Sequence, residues 1–252
     1  TEGDRVTGVE LESGETVTCE AAVSNASPIT TFYDMLDQPV PDQVKQGFKS
    51  KRMGMSAFVM YIALDCEPQD VSITTASNFL FQTMDEDEGH SRFTTLDKDP
   101  LGGMLTCYNY FDSSFAPKGK TLLSFVWGQY AEAWDDIPPE KYAETKYAYA
   151  NKLVDMFETT FPGIREHMEE VEVATPMTMM RYLNSPGGGI YGFKQTPQES
   201  AFFSERLNAI SGLFFAGSWV DMGGFQPTYM AGPSTARAVL KKLKTKNESE
   251  AA

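Results

Sequence analysis

The sequence predicts an α+β fold with an α/β remnant, and three observations carry it. A cluster of β-forming runs fills the middle of the chain. A long helical pattern follows, opened by Pro138–Pro139. The stretch GLFFAGSWVDMGGFQPTYMAG, residues Gly212 to Gly232, then reads as an apolar strand, a glycine-rich turn and the start of a helix.

In chain order, Val6, Val9 and Leu11 alternate with polar residues, Ser13–Gly14–Glu15 supplies a turn, and the alternation resumes from Thr16 to Cys19. That pattern predicts a β-hairpin. Ala21 to Val23 is expected as a short buried strand ending at Ser24–Asn25, and Pro28 to Leu36 as a short helix. Ser56 to Asp65, Asn78 to Gln82, Met104 to Phe111 and Thr121 to Gln129 are strands. The acidic run Asp85–Glu86–Asp87–Glu88 between them is expected as a solvated loop. The helix after Pro138–Pro139 places Tyr142, Tyr149, Leu153, Met156 and Phe157 on or near one face and stops at Phe161–Pro162–Gly163. This aromatic stripe is expected to be core. A short helix from Gly163 to Met168, a strand from Val171 to Ala174 and a helical turn from Thr175–Pro176 through Tyr182 follow. A flexible loop at Pro186–Gly189 leads to the apolar strand Leu213 to Ala216 and a closing helix from Thr235 to Leu243.

Composition narrows the function. The 252 residues carry a net charge of −14, which argues against a nucleic-acid binder, since that task needs a basic patch to displace counterions. The cluster Lys241, Lys242, Lys244 and Lys246 is expected to complement a helix C-terminus, with contact to a membrane surface as the alternative. Cys19, Cys66 and Cys107 form no CxxC pair, which fits free thiols in a reducing, cytoplasmic setting. No apolar run reaches the roughly 18 residues of a membrane span. The chain opens on Thr1 inside an apparent hairpin, so it is expected to be a piece of a longer protein, or a processed one.

Side-chain chemistry is sparse. His90 and His167 each stand alone among charged residues, so no metal centre and no Ser-His-Asp triad is expected. G-x-S-x-G, the Walker pattern and G-x-G-x-x-G are not found in this sequence. Chemistry is therefore expected to come from a bound cofactor. The glycine-rich stretch suits one: Gly217 lets a ligand approach the backbone, Gly223–Gly224 permit a tight turn, and Pro227 opens a helix whose free amides, about Thr228 to Met230, can meet an anionic group. A strand–turn–helix joint whose glycines serve packing alone is the alternative.

Four stretches in order resemble one family: VTGVELESGETVTCEAAVSNASP; FAPKGKTLLSFVWGQYAEAW with KYAETKYAYANKLVDMFETTFPGI; EVATPMTMMRYLNSPGGGIYGF; and GLFFAGSWVDMGGFQPTYMAGPSTARAVL. Nearly the whole chain resembles the C-terminal part of the phytoene desaturase, carotenoid isomerase and retinol saturase group of FAD-dependent oxidoreductases. The resemblance implies a mixed, largely antiparallel substrate-domain sheet with helices, plus the C-terminal portion of a Rossmann-like FAD domain. Residues 1–27 and 204–252 would belong to that FAD domain and 28–203 to the substrate-binding domain, with the dinucleotide-binding half absent.

The resemblance also implies site residues. Asn25, Gly217, Ser218, Gly223, Gly224, Gln226, Pro227 and Thr228 would contact FAD. Ser218 departs from the family's more frequent Asp, and Pro233 from a continuing helix, where it should start or kink the helix. Asn25 reads equally as a turn residue before Pro28. Arg181 and Tyr191 would lie near the junction of flavin and substrate; a surface salt bridge and a packed aromatic are their other readings. No residue stands out as a catalytic acid or base. The implied function is desaturation, saturation or isomerisation of C=C bonds in an apolar, carotenoid- or retinoid-like polyene, FAD binding requiring the missing half. An apolar-ligand module lined by some of the 13 methionines and 17 phenylalanines is one alternative. An amine-oxidase-like flavoenzyme with Trp219 and Phe225 in an aromatic cage is another. Self-association through an exposed cofactor face is expected.

Overall fold

The computed structural model describes residues 1–196, 199, 209–220 and 223–250, the last five by backbone alone. The elements run β1 (Gly8–Glu10), β2 (Thr16–Thr18), β3 (Ala22–Ser24), α1 (Pro28–Thr30), α2 (Asp42–Lys49), β4 (Ser56–Leu64), β5 (Ser77–Phe81), α3 (Glu86–Ser91), β6 (Gly102–Cys107), β7 (Thr121–Gln129), α4 (Tyr142–Thr160), β8 (Met168–Ala174), α5 (Pro176–Leu183), β9 (Leu213–Phe215) and α6 (Phe225–Glu250). They form two compact units, residues 56–181 and residues 1–55 with 182–252. The expected boundary at Ser204 lies outside the described residues.

The unit of residues 56–181 is an antiparallel five-stranded sheet in the order β5-β6-β7-β4-β8. β4 and β7 pair along nine residues, from Ser56 opposite Gln129 to Leu64 opposite Thr121. The pleat sends Phe58, Met60, Ile62 and Leu64 of β4 and Leu123 and Phe125 of β7 into one core. The stripe on α4 meets them there. Phe157 packs edge-on against Phe125 at 4.6 Å, and Tyr149 against Phe58 at 5.1 Å. A fully buried side chain of this size contributes about 1.5–3 kcal/mol, so these rings fix α4 on the sheet.

The other unit is smaller in secondary structure. β1 and β2 form the expected hairpin, with Gly8 opposite Thr18. β3 and β9 pair in parallel, Ala22 opposite Leu213 and Ser24 opposite Phe215. Pro28 opens α1, capped by the Ser27 hydroxyl, which accepts from the Thr30 N–H at 3.0 Å. α1 continues as a π-helical turn, Thr31–Met35. Phe32 stacks on Phe215 at 5.6 Å and Phe193 meets Trp219 edge-on at 5.1 Å, so the core is aromatic.

Several expectations are corrected. The acidic run is not a loop: Asp85 accepts from the Asp87 and Glu88 amides and caps α3. The strand from Met104 breaks at Cys107, where a 3₁₀ turn, Tyr108–Tyr110, begins. β3 is not buried on both faces, since Val23 is 54% exposed. The helix expected from Gly163 is a 3₁₀ turn, Ile164–His167, and β8 starts at Met168, three residues early. α2 was not expected; Val44 and Phe48, four apart, pack its one apolar face into the aromatic core. The helix opened near Pro227 and the closing helix from Thr235 are one element, α6, which runs from Phe225 through Pro233; the proline leaves the Tyr229 carbonyl without its helical donor rather than starting a helix. Because α6 extends to Glu250, Lys241, Lys242 and Lys244 lie within it and not at its end.

Candidate functional site

The parallel pairing of β3 and β9 brings two chain ends to one edge. The Ala216 N–H donates to the Ser24 carbonyl at 3.0 Å, one step past the strands. Asn25 leaves β3 and Gly217 leaves β9 at that edge. Ligands of parallel sheets bind beyond the carboxyl ends of the strands. Gly217 is buried at φ +104°, a conformation that strains any residue with a side chain. The space of the missing side chain is filled by the Asn25 carboxamide. Sequence reasoning offered ligand approach as the reason for this glycine; the fold supplies a second reason, contact with Asn25.

The turn that follows is held by a residue that sequence reasoning missed. The Gln195 side-chain amide donates to the Tyr191 carbonyl at 3.0 Å and to the Phe193 carbonyl at 2.8 Å. Its oxygen accepts from the Gly223 N–H at 2.9 Å. Gln195 therefore ties the 191–193 loop to the glycine turn, and Tyr191 packs where a Gly223 side chain would sit. No motif signals a glutamine in this role. Gly192 also packs closely, on the Ser218 carbonyl and Trp219. Ser218 is half-buried.

Gly224 is different. At φ +109° only the Pro227 ring, 3.7 Å away, lies near its missing side chain. It immediately precedes α6, whose first turn holds Gln226, Pro227 and Thr228. The Thr228 N–H is spent on the Gly224 carbonyl at 3.2 Å, which corrects the expected donors. Phe225 and Gln226 are the amides with no acceptor inside the helix. They and the positive helix end suit the pyrimidine edge of a flavin, and the bare Cα of Gly224 lets a planar ring come close. The residues present thus fit the ring. They provide no glycine fingerprint for a pyrophosphate.

Of the expected site residues, Asn25, Gly217, Ser218, Tyr191, Gly223, Gly224, Gln226, Pro227 and Thr228 lie in one unit. Arg181 lies exposed on α5 in the other. Trp219 is buried against Phe193, whereas Phe225 is 87% exposed. A cleft of about 700 Å³, lined by Arg5, Glu20, Gly212, Lys241 and Lys242, lies at the opposite, amino end of β3 and β9. Among the described residues no helix is long and apolar enough to cross a membrane.

A parallel strand pair that leads through a glycine turn into a helix suits a cofactor-binding protein. The chain belongs to the flavin-containing amine oxidoreductase family, whose model matches residues 1–240. It is 26% identical to prolycopene isomerase of Arabidopsis thaliana, over 84% of this chain and 35% of that protein. It is 27% identical to the lycopene-forming phytoene desaturase of Pantoea ananas, over 96% and 49%. It is 23% identical to all-trans-retinol 13,14-reductase of Danio rerio, over 86% and 40%. The chain thus spans a third to a half of the length of these curated relatives. Its fold is shared with cyclohexylamine oxidase from Brevibacterium oxydans, at a TM-score of 0.55 and 14% identity, over 94% of this chain and 46% of that one.

Proposed function

We propose that this chain forms the flavin-ring side and the substrate domain of an FAD-dependent oxidoreductase that acts on C=C bonds of an apolar, carotenoid- or retinoid-like polyene. Residues 1–27 and 204–252 belong to the FAD domain in this reading, and 28–203 to the substrate domain. The observation that carries it is the parallel strand pair whose carboxyl ends lead to Asn25, packed against Gly217, and on through a glycine turn into α6. The family and the substrates in the relatives' names support it.

A bound flavin supplies two-electron exchange with the substrate. The chain's own residues position it. The first-turn amides of Phe225 and Gln226 hold the ring edge, Gly224 admits the ring, and Ser218 and Thr228 offer hydroxyls to the polar chain of the cofactor. Tyr191, packed on Gly223, walls the site. The buried Trp219 is withdrawn from any aromatic cage, which favours a polyene over an amine. The exposed apolar residues of α6, Phe225, Tyr229 and Met230, provide the surface for self-association. Peripheral membrane contact through Lys241 and Lys244, in the cytoplasm, belongs to the same proposal.

Hydrogen exchange of the chain joined to the dinucleotide-binding half of a relative, with and without saturating FAD, tests the reading. Protection should concentrate at the described part of 217–228, and Gly224→Val should remove it. Exchange unchanged there, together with saturable quenching by retinol, would instead support an apolar-ligand module without flavin.

A further inference from the structure

We propose that Asp65, Cys66 and His167 form a binding site for a thiophilic divalent cation such as Zn²⁺. Asp65 and Cys66 are adjacent, His167 lies 102 positions from Asp65, and His167 read as isolated. The sheet brings them together. Asp65 and Cys66 directly follow β4, and His167 directly precedes β8. The register shift between Ala63 and Leu64 puts Leu64 opposite Met168, and the Asp65 N–H donates to the His167 carbonyl at 3.0 Å. Both backbones are thus pinned at the point where the side chains converge.

One ligand atom from each residue lies within 4.8 Å of the other two. His167 Nδ1 is 2.8 Å from Asp65 Oδ1. Zinc bonds of about 2.0–2.3 Å place tetrahedral ligands roughly 3.3–3.8 Å apart. The longest separation must therefore close by about 1 Å, which rotation of the half-exposed Asp65 and His167 side chains can supply. Cys66 is a free, buried thiol, 7% exposed, so its sulfur forms the floor of the site. Asp65, Glu67 and Asp70 surround that sulfur with negative charge, which a divalent cation offsets. Sulfur, nitrogen and oxygen together select a borderline-soft metal over Mg²⁺ or Ca²⁺. Three protein ligands leave a fourth position for water. Bound there, the metal ties the end of β4 to the start of β8.

The chain, treated with chelator, is titrated with Co²⁺ and then Zn²⁺. Expected are one tightly bound Co²⁺ per chain, a thiolate-to-cobalt charge-transfer band, and loss of that band as Zn²⁺ displaces it. His167→Ala and Asp65→Asn, both half-exposed and checked for fold by circular dichroism, should each weaken binding at least about tenfold. Cys66→Ser should abolish the band, and Cys19→Ser should keep it. A missing band, or a band that survives Cys66→Ser, overturns the site. Affinity unchanged in His167→Ala overturns it too, leaving an Asp–His ion pair beside a buried thiol.

Discussion

The carboxamide of Asn25 fills the volume that a side chain at Gly217 would need. The two residues lie just beyond the carboxyl ends of the parallel strands β3 and β9, so each limits what the other can become. Gly217→Ala meets two obstacles, backbone strain at φ +104° and collision with Asn25. Together they should cost roughly 2–4 kcal/mol. Hydrogen exchange at the Ala216 amide, which donates across the pair, reads the loss locally. Asn25→Gly in the same background should recover the collision part and leave the strain. Full additivity of the two substitutions would show that they do not touch.

Gln195 connects the Tyr191 loop to the glycine turn through three hydrogen bonds. Gln195→Ala should release Gly223 and speed its amide exchange. It should lower stability by only about 1 kcal/mol, because the bonds are partly solvent-exposed. If the turn serves a flavin, the variant should also lose the FAD-dependent protection there. Unchanged exchange at Gly223 would show that the turn holds itself.

Where local pattern and burial coincide, the sequence was legible. β7 runs from Thr121 to Gln129 as expected, because its apolar residues recur with the pleat and its ends are polar turns. The α4 stripe is core because Tyr149, Leu153, Met156 and Phe157 follow helical spacing. Failures arose where a distant contact decides. Nothing local says that Asn25 covers Gly217, that Gln195 reaches Gly223, or that His167 meets Asp65 and Cys66. α6 was read as two pieces because Pro233 is a helix breaker by local rules, yet the Thr235 hydroxyl, donating to the Phe215 carbonyl at 2.7 Å, holds the helix against β9. The family resemblance was readable across 1–240 because it rests on ordered stretches rather than any single motif.

The two edges of the five-stranded sheet differ. β8 carries Glu169, Glu170 and Glu172, which repel a second strand. β5 carries no charge and shows Phe79 and Phe81, 64% and 72% exposed and stacked at 6.5 Å. Concentration-dependent association should therefore run in part through β5. Phe81→Lys should reduce light scattering at high concentration while changing stability by less than about 0.5 kcal/mol. If only Phe225→Glu reduces it, association runs through the face of α6.

Tyr149 gives the chain an alkaline limit. Burial pushes its hydroxyl up to about 12, against a smaller downward pull from the neighbouring Trp127 side chain. Ionisation in the unfolded chain begins near 10. A raised pKa in the folded state means that the folded protein holds this proton more tightly. The associated stability is fully present below pH 10 and is lost as pH rises toward 12. A shift of this size corresponds to about 2–3 kcal/mol. Tyr149→Phe keeps the ring against Phe58 and removes the titration. Denaturation midpoints from pH 9 to 12 should fall for the wild-type chain and fall less for the variant. Equal slopes would mean that other groups control alkaline unfolding.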